Sequence, residues 1–371
     1  MKTRAAVLYG LNEPFRVEEI ELDDPKEGEV LVRLVATGLC HSDWHLVTGD
    51  IPMNFPVVGG HEGAGVVEKV GPGVTDVKPG DHVILTFIPS CGKCRWCTSG
   101  LTMLCDLGAH IAQGQQLDGT FRMHTKDGEG IGQMCLLGTF SEWTVCPAAS
   151  VIPVSKDLPL DKLCLVACGV PTGFGAAINR ADVQPGETVV IFGIGGVGIN
   201  AVQGAAVKGA SKVIAVDPVD FKLEMAEEMG ATHTINNSKE DAVARIMELT
   251  NGVGADKAIV TVGVVTPEDV GTAFKATRKG GRTVVVGVAP ADADHINVPP
   301  HELVLFQKEV LGCLFGTTNM RAELPKYIEL YRSGMLKIDE LITKTYTLDQ
   351  INEAYQDMLE GRNIRGVIRY Q

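Results

Sequence analysis

The sequence predicts an α/β protein, with an all-β, barrel-like N-terminal part and a doubly wound parallel sheet behind it. Three observations predict this. Short extended runs broken by Gly and Pro fill the N-terminal portion, apolar strand runs alternate with helical patterns after Thr172, and a glycine loop joins the first of those strands to its helix. A chain of 371 residues is long for one hydrophobic core and comfortable for two.

Up to about Asn54 the pattern reads as short and extended, clearest in EVLVRLVA, Glu29 to Ala36. A second run, Gly63 to Val70, enters the turn Gly71-Pro72-Gly73, and a third spans His82 to Phe87. Short strands punctuated by turn residues point to a barrel-like unit. Periodicity then vanishes from Cys91 to about Phe140. So long an irregular stretch in a compact domain requires a function or an internal staple. Beyond Thr172, buried-strand runs at Glu187 to Gly193, Lys212 to Asp217, near Thr234, Lys257 to Gly263 and Gly281 to Val288 alternate with helical patterns. Those helices are Gly196 to Lys208, Phe221 to Met229, Ala242 to Leu249 and Pro267 to Thr277. Such alternation implies a parallel sheet covered on both faces. Val310 to Gly316 reads as the final strand, at the sheet edge, where an uncovered strand invites pairing with a second copy. Amphipathic helices over Ala322 to Ser333 and Leu348 to Glu360, then the short strand GVIRY, complete the chain.

Composition excludes several classes. Hydrophobic residues at 45% and charged residues at 21% are ordinary for a folded globular chain. No run approaches the roughly 20 apolar residues of a membrane span. The opening MKTRAAVLYG turns polar too soon for a signal peptide, so a cytoplasmic location is expected. A net charge of −13 opposes nucleic-acid binding, which depends on neutralising phosphates. In a reducing compartment, clustered cysteines are metal ligands more often than disulfides.

Gly193-Ile194-Gly195-Gly196-Val197-Gly198 fits G-x-G-x-x-G between a predicted strand and helix, the context that gives the pattern meaning. The glycines let the backbone approach a pyrophosphate, which the helix N-terminus stabilises. Asp217 closes the next strand, where a carboxylate accepts ribose hydroxyls and repels a 2′-phosphate, favouring NAD over NADP. Cys91, Cys94, Cys97 and Cys105 form C-x2-C-x2-C-x7-C inside the irregular stretch. Four thiolates close a tetrahedral structural zinc site, and iron–sulfur ligation is the competing use of such spacing. Cys40, His61, Glu62 and Cys168 are dispersed, and spacing alone does not connect them.

GLCHSDWH, GGHEGAGVV, the four-cysteine segment, ACGVPTG, GIGGVG and NIRGVI follow the order found in zinc-dependent medium-chain alcohol dehydrogenases, which the whole chain resembles. The resemblance implies a GroES-like catalytic domain over residues 1–170, a Rossmann domain over 171–314 and a return to the first domain over 315–371. It implies one catalytic zinc held by Cys40, His61 and Cys168, one structural zinc in the cysteine segment, and NAD. Glu62 would approach the metal, Asp43 would orient His61, and Ser42 and His45 would relay a proton outward. Thr172 would sit beside the nicotinamide, Lys222 near the adenosine ribose, His41 and Arg365 near the pyrophosphate, and Phe87 in the substrate-pocket wall. Three protein ligands leave one zinc position open for a substrate oxygen.

The implied partners are a small primary or secondary alcohol, or its aldehyde or ketone, and further copies of the chain in a homodimer or homotetramer. GTFRMH, MCLLGTF, AIVTVGVV and YQDM are most similar to the nicotinoprotein branch, which keeps its NAD bound and is assayed with a nitrosoaniline acceptor. Glutathione- or mycothiol-dependent formaldehyde dehydrogenases share the architecture and are the alternative. Ile51, where glutathione-dependent members tend to carry an acid, counts against glutathione.

Overall fold

In the computed structural model, which describes residues 1–370, the chain divides into two compact units. One comprises Met1–Cys168, Asn319–Pro325 and the described residues from Ile338 on; the other comprises Gly169–Thr318 and Lys326–Lys337.

The first unit is built on the strand Glu29–Gly38, whose Val30, Val32 and Leu34 are buried. It pairs antiparallel with Glu62–Val70, with Trp143–Pro147 and, at its C-terminal end, with Arg365–Arg369. Gly38 thereby lies opposite both Glu62 and Val367, so three neighbouring strands end together. Beside this sheet a closed barrel forms from Lys2–Leu8, Arg16–Leu22, Met123–His124, Gly130–Gln133 and Val57–Val58. The second unit carries six strands, in the order His233–Ile235, Lys212–Val216, Thr188–Phe192, Ala255–Val260, Thr277–Val285 and Glu309–Gly312. Every pair among them is parallel. Numbered along the chain, this is the 3-2-1-4-5-6 order of a dinucleotide-binding sheet. Thr188–Phe192 is buried along its whole length, as a central strand covered on both faces must be.

The structure departs from the sequence reading in three places. His41–Thr48 is an α-helix within the part expected to be extended. Its buried face is Asp43, His45, Leu46 and Val47, and two polar members hide its apolar periodicity. The stretch expected to be irregular contributes Met123–His124 and Gly130–Gln133 to the barrel; strands so short, one rich in glycine, leave no alternation to read. The last strand of the parallel sheet is shorter than expected, Glu309–Gly312, because the chain turns into a single 3-10 turn at Phe315–Thr317. Its edge position is as expected.

A buried ion pair pins the irregular segment. Arg122 is fully buried and grips Glu29 through two hydrogen bonds of 2.8 and 2.7 Å, with Asp118 a further acceptor at 2.9 Å. Among the described residues no single helix is long and apolar enough to cross a membrane.

Candidate active site

Glycine geometry at Gly59-Gly60-His61 sets up the first donor. Gly60 has φ +89°, and a Cβ there would meet the Phe140 nitrogen and Thr139 Oγ1 at 2.6 Å. Only glycine turns the chain here. The Gly60 amide donates to Asp43 Oδ1 at 2.8 Å, and His61 Nδ1 meets the same oxygen at 2.9 Å. With Nδ1–H committed to a carboxylate, Nε2 is the nitrogen left for a metal. Cys40 caps the helix His41–Thr48, and Cys168 joins the turn Cys164–Ala167 to the helix Gly169–Gly175.

These elements bring Cys40, His61, Glu62 and Cys168 together, all buried, with their donor atoms within 4.8 Å of one another. Cys168 donates to the Cys40 sulfur, which holds the Cys40 thiol well below its ordinary range and drives Cys168 well above it. Two buried thiolates this close need a cation before both can ionise. Glu62 is engaged by an ion pair to Arg365, which also donates to the Leu39 carbonyl at 3.1 Å. Burial pushes the Glu62 carboxyl up to about 7 against the opposing pull of Arg365. With Glu62 so held, Cys40, His61 and Cys168 form a three-donor set that suits zinc and leaves one position open.

Ser42 lies with its hydroxyl 3.6 Å from the Cys40 sulfur, and His45 follows one helical turn later. His45 Nδ1 bonds Asp50 Oδ2 at 2.8 Å, and the Thr48 hydroxyl donates to that oxygen at 2.6 Å. His41 stands edge-on to His45, their ring centroids 5.0 Å apart, and Phe87 packs edge-on to His61 at 5.6 Å. Sequence reasoning missed Asp50. A signal existed, since Gly49 ends the helix in the left-handed conformation and folds the next residue back toward it. Arg365 is placed on Glu62 within the first unit, a pairing the motif did not announce.

The four-cysteine segment also assembles. Sulfur–sulfur distances of 4.0 Å for Cys91–Cys97 and 3.9 Å for Cys94–Cys105 are close to the about 3.8 Å edge of a tetrahedron with Zn–S bonds of about 2.3 Å. Backbone amides stabilise the thiolates: Cys94 N–H reaches the Cys91 sulfur at 3.3 Å, and Cys97 N–H the Cys94 sulfur at 3.5 Å. Donation from the amides of Cys97 and Asp106 brings the Cys94 thiol down to about 6.

In the second unit the glycine loop leads from Thr188–Phe192 into the helix Gly198–Val207, with Val197 at its N-cap. A Cβ at Gly198 would meet the Gly193 carbonyl at 1.9 Å, so glycine is needed for close packing. At Gly195 nothing lies within 4 Å and φ is ordinary, so no packing demand explains the glycine, which suits close approach of a ligand. Gly196 completes the same turn. Asp217 is already bonded through both oxygens, accepting from the Ile194 amide at 2.8 Å and the Val219 amide at 2.9 Å. It therefore fixes the loop. Lys222 is half-buried on the helix Asp220–Glu228, and Thr172 is buried on Gly169–Gly175.

Residues 26–156 match the alcohol dehydrogenase GroES-like domain, and residues 196–333 match the zinc-binding dehydrogenase domain. An NDMA-dependent alcohol dehydrogenase from Amycolatopsis methanolica is 52% identical over 370 residues, 100% of this chain and 99% of that protein. The chain belongs to the zinc-dependent alcohol dehydrogenase family. The benzyl alcohol dehydrogenase structure from Acinetobacter calcoaceticus superposes on this family member with a TM-score of 0.93 at 33% identity, covering 100% of each chain. An S-(hydroxymethyl)glutathione dehydrogenase from Paracoccus denitrificans is further removed, 42% identical over 379 residues, 100% of each chain. As a zinc-dependent alcohol dehydrogenase, the chain is an oxidoreductase that acts on alcohols.

Proposed function

We propose that this alcohol dehydrogenase uses NAD, holds its catalytic zinc on Cys40, His61 and Cys168, and holds a structural zinc on Cys91, Cys94, Cys97 and Cys105. The observation that carries the reading is the buried three-donor set left when Arg365 takes Glu62. Zinc there supplies a Lewis acid for the substrate oxygen, and NAD the hydride acceptor. The chain's own residues handle the proton. Ser42, beside Cys40, takes it up as its own hydroxyl proton passes on toward His45 one helical turn later, whose Nδ1 is held by the Asp50 carboxylate at 2.8 Å. Asp43 fixes the His61 tautomer, Phe87 lines the apolar side of the site, and Thr172 orients the nicotinamide. The glycine loop from Gly193 to Gly198 receives the pyrophosphate, while Asp217 and Lys222 hold the adenosine ribose.

The similarity to an NDMA-dependent relative supports a finer reading, in which NAD stays bound between turnovers and an external aldehyde or artificial acceptor reoxidises it. The thiol-adduct alternative has less support, with its representative at 42% identity against 52% and Ile51 in place of an acid. A cytoplasmic location and a homo-oligomeric state belong to the same reading.

Elemental analysis of purified protein, with nucleotide identified after denaturation, tests it. Two zinc ions and near-stoichiometric NAD per chain are expected, with one zinc lost in Cys40→Ser. A Cys40→Ser protein that kept both ions would refute the ligand assignment.

A further inference from the structure

Tyr355 sits 1% exposed on the helix Ile351–Leu359, with no part in the chemistry above. Its ring is locked on three sides. Phe15 stacks on it at 5.7 Å, Trp44 tilts against it at 5.4 Å, and Phe140 meets it edge-on at 6.1 Å. Such a cluster leaves the hydroxyl little freedom of direction.

Two buried polar atoms of this region have no hydrogen-bond partner, Asp43 Oδ2 and the Tyr355 hydroxyl. Trp44, the chain neighbour of Asp43, is the ring tilted against Tyr355, which sets the phenol in the neighbourhood of this carboxylate, and burial followed by the Asp43 charge pushes the phenol up. Asp43 Oδ1 is already occupied by the Gly60 amide and His61 Nδ1, so the orphan is the far oxygen of a completely buried carboxylate. An unsatisfied buried polar group costs about 1–3 kcal/mol, and more when charged. A phenol with its proton aimed at that oxygen removes both penalties together.

We propose that Tyr355 donates to Asp43 Oδ2 and is a positioning residue of the metal centre, the outer link in a chain Tyr355–Asp43–His61. By fixing the carboxylate that fixes the imidazole, it holds His61 in the donor set that it would complete with Cys40 and Cys168. The proposal rests on His61 being a ligand. Partners that orient a metal-binding histidine directly are typically worth about 10–100-fold in metal affinity or activity, so a residue one step further out is expected to contribute about three- to tenfold.

The holoenzyme with Tyr355→Phe keeps the ring and removes only the hydroxyl. Zinc release into excess chelator is followed for this variant, for Asp43→Asn and for the parent, with the cysteine-segment zinc as internal reference. One zinc is expected to leave about three- to tenfold faster in Tyr355→Phe, the other at the parental rate, with Asp43→Asn faster still. Parental release of both ions from Tyr355→Phe, or acceleration of both alike with a lowered melting temperature, would overturn the positioning role. Parental release from Asp43→Asn would instead overturn the reading of His61 as a ligand, and the proposal with it.

Discussion

At Asp50 one carboxylate oxygen takes hydrogen bonds from both His45 and Thr48, and these hold its carboxyl below the usual range. It is therefore an anion throughout the neutral range, and in the proposed relay it would stabilise a proton passing through His45. Asp50→Asn is expected to lower turnover about tenfold near neutral pH, a fraction of the 10²–10⁴ of a full acid–base group, with zinc content unchanged and partial rescue by imidazole buffer. Parental turnover in steady-state assays would remove Asp50 from the relay. Asp217 carries a second prediction. Because it both anchors the Ile194 amide and bears the charge that repels a 2′-phosphate, Asp217→Ser should narrow the NAD over NADP preference about tenfold, or ~1.4 kcal/mol, and loosen cofactor retention. An unchanged preference in cofactor-reconstituted protein would refute it. At this scale, legibility followed sequence locality. The cysteines announced themselves through C-x2-C spacing, but Cys40, His61 and Cys168 could be joined only by family likeness, because the pairing of Glu29–Gly38 with Glu62–Val70 brings Cys40 to His61 and Cys168 arrives from a turn far along the chain. Asp50 and Tyr355 depend on a helix end and an aromatic cluster, neither of which leaves a motif.

Among the elements, the segment from Cys91 to Phe140 has no core of its own: Met123, Ile131, Met134, Leu137 and Phe140 pack into the first unit's core, and staples hold the rest, the four cysteines being the first. Cys94→Ser should release the structural zinc and lower the melting temperature by roughly 10 °C, as a loss of a few kcal/mol does in a chain of this size. Turnover per remaining zinc should stay near the parental value. A variant as stable as the parent would show that the cysteines hold no structural metal. The second staple is Arg122 on Glu29. Arg122→Met leaves a buried carboxylate unpaired, an expected loss of about 3–5 kcal/mol, measurable by denaturant unfolding. The strong strand and helix runs of the parallel sheet were readable because each buries a periodic face. The helix His41–Thr48 was not, since Asp43 and His45 stand where apolar residues would otherwise mark its buried side.

For the whole molecule, the edge strand Glu309–Gly312 and the cofactor together define what the working enzyme is. The strand ends the parallel sheet, and nearby Val304, Leu305 and Leu314 are exposed by 70%, 62% and 47%. An uncovered edge flanked by apolar side chains is an aggregation hazard unless a two-fold mate covers it. Light scattering at micromolar concentration should therefore give a dimer or tetramer, and a monomer would refute the pairing. The way the enzyme turns over is the remaining prediction. If NAD is reduced and reoxidised in place, the oxidised product must leave before the acceptor binds, and the rates follow a ping-pong pattern. Purified protein should then oxidise alcohols poorly when free NAD is the only acceptor. It should turn over well when an aldehyde or a nitrosoaniline acceptor is supplied, giving parallel lines in double-reciprocal plots at varied acceptor concentration. Protein that purifies without nucleotide and reduces free NAD at ordinary rates would refute permanent binding. It would leave the zinc chemistry intact, because Cys40, His61 and Cys168 lie in the first unit while the glycine loop lies in the second.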